Sequence, residues 1–245
     1  MNRRELMLVG GGGLLLGGCD RLNANPQFRR ILQSAEPLHD ASQRLVAPGL
    51  AREYRRDQIS PVFRTNGVTR PASAEYQAHA ATNFVNWRLM IDGLVARPLS
   101  LSLRDLGAFP QRAQITRHDC VEGWSAIGKW QGAVLGDVLK AAGLSDQARY
   151  IVFHCADDSN GVPYYESIDL YDAFHSQTIL ALLMNDRRLP MGHGAPIRLR
   201  VERQLGYKHA KFVMRVEARE RIDNLHLGKG DYWEDRGDYA WYAGI

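Results

Sequence analysis

Two cysteines stand among residues able to do chemistry: Cys120 in RHDCVEGWSAIGKW and Cys155 in YIVFHCA. Cys120 lies between Asp119 and Glu122, and His118, His154, His193, Lys208 and His209 fall close to one or other strand end. Nearby carboxylates raise a thiol's pKa and make it a poor nucleophile, so the stretch does not suit a Cys-His protease. Structural zinc is not supported, because there is no C-x2-C, no H-E-x-x-H and no paired His. A high-valent metal reverses the argument. A thiol bound to such an ion is deprotonated whatever its neighbours prefer, and the flanking acids become tuning or proton-handling groups. A Cys120–Cys155 disulfide, a reactive thiol, a metal ligand and a buried apolar residue all remain open at this point.

The elements that would hold these residues can be read from hydrophobic period. Trp87, Leu89 and Ile91 alternate and end in Asp92-Gly93, a strand and turn. PLSLSL (98–103) alternates again, RDLGAF reads as a short helix, and AQITRHD is the strand that delivers Cys120. AVLGDVLKAAGL has helical spacing with Gly143 as its stop. YIVFHCA is an apolar strand, Asp169 starts a helix, and TILALLMNDRRLP reads as strand, turn and strand. IRLRV (197–201) and KFVMRVE (211–217) are further strands. Many strands with a few short helices, in no βαβ rhythm, imply one α+β domain with a mixed sheet. No G-x-G-x-x-G follows a strand and no P-loop is present, which excludes a Rossmann reading.

The 245 residues are 45% hydrophobic and 24% charged, ordinary for a globular protein. A net charge of +4 suits an anionic ligand but not nucleic-acid binding. Residues 1–19, MNRRELMLVGGGGLLLGGC, carry Arg3-Arg4, a short apolar run and small residues up to Cys19. The run is too short for a comfortable membrane span and reads as an export signal. Arg3-Arg4 resembles a twin-arginine signal and LGGC a lipobox, with Cys19 the lipidated residue. Residues 20–58 are rich in Arg and Pro and read as an extended arm or linker, leaving 59–245 as the domain.

RHDCVEGWSAIGKWQGAVLGDVL resembles the cysteine loop of the sulfite oxidase family, whose molybdopterin domain holds molybdenum through one cysteine. LPMGHGAPIRLRVERQLGYKHAKFVMRVE is similar to the family's second signature, and GDYWEDRGDYAWYAGI resembles the ending of bacterial members made of the catalytic domain alone. The resemblance spans about residues 59–245. It implies a Mo-molybdopterin oxidoreductase passing an oxygen atom to or from a small substrate such as sulfite or a sulfoxide. Position by position, it implies Cys120 as metal ligand; Asp119, beside that ligand, is then a candidate for tuning or proton transfer. His193, Arg198, Gly206, Tyr207 and Lys208 would hold the pterin and its phosphate. Cys155 would pack against the cofactor, and Arg64 and Asn66 of FRTNG would form an early cofactor segment. Trp124 and Trp130 are expected in the core behind the loop, and Tyr164 and Tyr165 at the substrate mouth or on the surface.

The chain has no C-x-x-C-H haem site and no iron–sulfur pattern. Electrons are therefore expected through a partner, a haem protein or a quinone-linked membrane subunit. A cofactor loaded in the cytoplasm fits a signal for folded export, to a lipid-anchored position on the periplasmic side of the inner membrane. There is no room for the family's immunoglobulin-like dimerisation domain, so a monomer is expected. The rival class is a non-catalytic exported lipoprotein that keeps the fold as a binding module, with Cys120 and Cys155 joined.

Overall fold

Period-two alternation is what the chain uses to build its walls, and it sorts residues by face with few exceptions. The computed structural model describes residues 25, 27–28, 36–46, 49–159 and 161–245. In chain order the elements are α1 (Glu36–Val46), α2 (Ala74–Ala81), β1 (Leu89–Gly93), β2 (Leu99–Leu101), α3 (Leu103–Ala108), β3 (Gln111–Asp119) and β4 (Ser125–Val134). They continue with α4 (Leu135–Ala142), β5 (Tyr150–Ser159), β6 (Val162–Asp169), α5 (Leu170–Ala173), β7 (Ile179–Met184), β8 (Arg187–Arg188), β9 (Arg198–Arg200), β10 (Val213–Arg219) and α6 (Tyr232–Gly237). Gly49–Ile245 form one compact unit, and α1 belongs to the preceding one.

The strands divide into two sheets. One runs β2-β1-β10-β5-β6, with β1 and β10 parallel and every other pair antiparallel. The other runs β3-β4-β7-β8 with β9 also paired to β7, all antiparallel. The α+β class with mixed sheet is as expected. Trp87, Leu89 and Ile91 meet Leu135, Val138, Phe153, Leu180, Leu199 and Val216 in one apolar core, so both sheets and α4 share it. Gly143 ends α4 with φ of 70°, a left-handed cap that a side chain would strain. Asp169 caps α5, its side chain accepting from the Asp172 N–H.

The stretch from 49 onward lies along the β3–β4 hairpin. The Tyr54 N–H donates to the Ile115 carbonyl at 2.8 Å, and the Ser60 N–H to that of Ile127 at 3.0 Å. That course carries Phe63, Arg64 and Asn66 to the end of the hairpin. Residues 36–46, inside the segment read as an arm, are helical as α1, and Pro37 is tolerated there because the first turn needs no N–H partner. The expected signal at 1–19, with Arg3, Arg4 and Cys19, lies outside the described residues. Among the described residues no helix is long and apolar enough to cross a membrane.

Candidate active site

Strand β3 fixes which side chains can meet. Gln114, Thr116 and His118 face inward, while Arg117 and Asp119 face the other way. Cys120 follows at the tip of the hairpin. Its N–H donates to the Trp124 carbonyl at 2.9 Å and its own carbonyl accepts from the Gly123 N–H at 3.0 Å. Gly123 takes φ of 84° to make that tight loop, which turns the thiol inward to 9% exposure.

A cleft of about 260 Å³ opens over this tip. Its lining includes Cys120 with His118 and Trp124 from the hairpin, Phe63, Arg64 and Asn66 from the leading segment, and Arg198 from β9. Gly206, Tyr207, His209 and Lys211 come from the turn before β10, and Tyr164, Tyr232, Trp233 and Tyr239 complete an aromatic wall. The Asn66 side-chain N–H donates to Cys120 Sγ at 3.4 Å. Cys120 and Cys155 are both free thiols.

Positive charge is concentrated and underused on one wall. Arg198 is 6% exposed, and among the described residues its single hydrogen bond is a long one, 3.4 Å to the His193 carbonyl. Its Nε has no partner among the described residues, and its guanidinium carbon lies 5.5 Å from the Trp130 ring centre. Burial and then the Arg200 charge pull its pKa to about 9, so it stays protonated at neutral pH. A buried cation left this way calls for an anion. Lys211 reinforces it: burial and Arg198 bring its pKa to about 8, and its Nζ donates to the Asn66 carbonyl at 2.6 Å and to that of Val68.

Four expected residues take other positions. The Asp119 carboxylate is held on the outward face of β3 by Arg117 at 2.9 Å and Ser125 at 2.5 Å, and it does not line the cleft. Lys208 is wholly buried behind the turn, with Nζ on Glu166 at 2.5 Å and on Asp231. Burial alone would lower its pKa, but the Asp231 and Glu166 charges raise it. Lys208 is committed to this buried carboxylate pair and lies outside the cleft lining, and Lys211, three positions on, is the lysine that lines the cleft. Cys155 sits beside the core with its thiol toward the Phe153 carbonyl, outside the lining, and burial raises its pKa. His193 packs edge-on against Phe63, whose own ring lines the cleft, and burial lowers its pKa to about 4. Trp130 is core as expected, Trp124 is cleft wall, Tyr164 lines the cleft, and Tyr165 is buried with its hydroxyl on Asp235.

Several lining residues were given no role from the sequence, among them Lys211, His209 and Asp157. Lys211 and His209 belong to the same KHAK run as Lys208, and a turn offset of three residues decides which lysine faces in. Asp157 lies just beyond Cys155 on β5. It is 6% exposed, its Oδ1 has no partner among the described residues, and burial raises its pKa to about 6 despite Lys211.

The fold and cleft define an α+β binding domain for an anionic group, with a thiol set beside buried cations. That donor set suits a molybdenum-bearing pterin phosphate, and the buried Arg198 guanidinium, with one long hydrogen bond and Nε unpartnered among the described residues, is the observation that fits it. The profile of the family described as oxidoreductase molybdopterin binding domain matches residues 76–226. A chain of Azospira oryzae, named for a protein-methionine-sulfoxide reductase subunit YedZ1, is 38% identical over 77% of this chain and 69% of its own. The protein-methionine-sulfoxide reductase catalytic subunit MsrP of Campylobacter jejuni is 32% identical over 66% of this chain and 58% of its own. The sulfane dehydrogenase SoxCD of Paracoccus pantotrophus superposes with a TM-score of 0.52 at 24% identity, covering 57% of this chain and 40% of that one, which shows the fold. The chain belongs to the sulfite oxidase family of molybdopterin oxidoreductases, and it is an oxidoreductase that binds molybdopterin.

Proposed function

We propose that the protein is an exported sulfoxide reductase with Cys120 as the molybdenum ligand and a methionine-sulfoxide-like side chain as substrate. One observation carries the reading: the Cys120 thiol, with Asn66 donating to it, shares a cleft with a buried Arg198 that forms no ion pair among the described residues. The names borne by two relatives, both methionine-sulfoxide reductases, favour the sulfoxide over sulfite. The aromatic wall agrees, because Trp233 and Tyr239 stack 5.5 Å apart beside the cleft and present faces that suit a methyl-sulfur group.

When bound, the cofactor supplies two-electron oxygen-atom chemistry. The chain's residues do the rest. Arg198 and Lys211 neutralise the phosphate, with Arg64 at the open side. Gly206 and Tyr207 set the floor, His193 backs Phe63, and Asn66 orients the thiolate. The aromatic rings exclude water from the sulfur end of the substrate. Asp119, turned outward, tunes the hairpin tip through Ser125 and is assigned no proton transfer.

Electrons come from a partner, a haem protein or quinone-linked membrane subunit, since the chain carries no second redox motif. Arg3-Arg4 directs folded export and Cys19 anchors the protein by lipid on the periplasmic side, where it acts as a monomer. The test is elemental analysis and turnover on protein from its own host. One molybdenum per chain with reduction of peptide methionine sulfoxide is expected. A metal-free chain, or one that oxidises sulfite and leaves the sulfoxide untouched, would overturn the reading.

A further inference from the structure

Behind the cleft, three wholly or nearly buried side chains form a line that no cofactor contact accounts for. Glu202 and Arg200 are paired through two hydrogen bonds, 2.8 Å from Nε and 2.6 Å from Nη2, both fully buried. Gln114 donates to the same Glu202 carboxylate at 2.9 Å, which fixes its plane. With Nε and Nη2 occupied, Arg200 turns Nη1 to His118 Nδ1 at 3.0 Å.

The direction of that last bond decides the state of the imidazole. A guanidinium can only donate, so Nδ1 must offer a lone pair and the ring proton must sit on Nε2. This inverts the common arrangement in which a carboxylate takes the Nδ1 proton and leaves Nε2 free to ligate a metal. His118 is thereby barred from acting as a metal ligand or base through Nε2. It is a donor.

The donor faces the site. His118 lines the cleft, and among the described residues Nε2 has no hydrogen-bond partner in the protein. The Nε2–Cε1 edge lies against Gly206, where a Cβ would come within 2.5 Å of both atoms. His118 and Cys120 are two residues apart on extended chain, so their side chains leave the same face. Trp124 and Phe63 pack on the ring at 5.6 Å each, and His209 meets it edge-on at 5.1 Å, which leaves little freedom to rotate.

We propose that His118 is a cofactor-positioning donor, locked as the Nε2–H tautomer by Arg200 and Glu202 and hydrogen-bonded to an acceptor atom of the group bound beside Cys120. Arg200 and Glu202 are positioning residues that act through it. The pair is electrically neutral as a whole, so it orients the ring without adding net charge to a wall that already holds Arg198. The assignment rests on Cys120 being the ligand only for its location, since the tautomer is a property of the chain itself.

Nitrogen-15 NMR of histidine-labelled apoprotein tests the tautomer without cofactor. His118 is expected to show a lone-pair Nδ1 and a proton-bearing Nε2, and the reverse pattern would overturn the proposal. The second arm uses protein from its host, reading pterin content and the Mo(V) paramagnetic spectrum. His118→Leu should retain pterin roughly tenfold less tightly and shift the spectrum. His118→Gln, whose side-chain N–H reaches about as far as Nε2, should restore both. Unchanged retention and spectrum in His118→Leu, with a folded protein by thermal melt, would also overturn it. Failure of the ligand reading is seen separately, as an unaltered Mo(V) spectrum in Cys120→Ser.

Discussion

Asp157 offers a stability measurement that depends on the cleft and on no bound group. Its carboxyl is 6% exposed, with Oδ1 unpartnered and burial as the leading cause of a pKa raised from 3.8 to about 6. At about 1.4 kcal/mol per pH unit, that interval amounts to about 3 kcal/mol. Because the folded pKa is the higher one, the unfolded chain releases its proton first as pH rises. The stability contribution is therefore complete below about pH 4 and is lost as pH climbs through about 6. Asp157→Asn removes the ionisation, so urea unfolding of the apoprotein should show the variant gaining on the wild type between pH 4 and 7. The gain should approach about 3 kcal/mol and then level off. Taking the difference at each pH cancels groups common to both proteins. A difference that stays flat across the range would refute the buried carboxyl and the cleft wall drawn around it.

The two lysines of KHAK should separate cleanly. Lys208→Met strands Glu166 and Asp231 and should cost the apoprotein about 3–5 kcal/mol in denaturant, while Lys211→Met should lower pterin retention with a far smaller effect on unfolding. Arg198→Gln should weaken retention by about 2–5 kcal/mol, read as pterin fluorescence after denaturation, and leave the apoprotein at least as stable. Gly206→Ala places a methyl within 2.5 Å of the His118 ring and should cost about 1–3 kcal/mol, with loss of pterin, by thermal melt and fluorescence together.

Fold class was legible because most strands carry their period openly. β1, β2, β5 and β7 are apolar or alternating, and α4 and α5 announce themselves through Gly143 and Asp169. Strand β4 hid its alternation in glycine. Its inward positions include Gly128 and Gly132, where a side chain would meet the Phe63 ring at 3.1 Å and the Leu180 carbonyl at 1.9 Å. Strand β6 was masked by Glu166 and Ser167, polar residues that are fully buried because partners elsewhere in the chain receive them. In the site, Cys120, Arg64, Asn66, Arg198, Gly206 and Tyr207 do line one cleft. Asp119 could have been set aside from period alone, since its neighbour His118 takes the inward face of β3. Lys208 could not, because a 3-10 turn at Gly206–Lys208 and acids far along the chain determine which way it points.

The aromatic wall is closed by residues that follow every other wall-forming segment in the chain. Tyr207 donates its hydroxyl to the Ala240 carbonyl, Trp241 donates to Ser167, and Gln204 bridges Gly244. That wall therefore hangs on one late stretch of chain: without residues 231–244 the cleft would lose Tyr232, Trp233 and Tyr239 from its lining, and Lys208 would lose Asp231 and Glu234 from its surroundings.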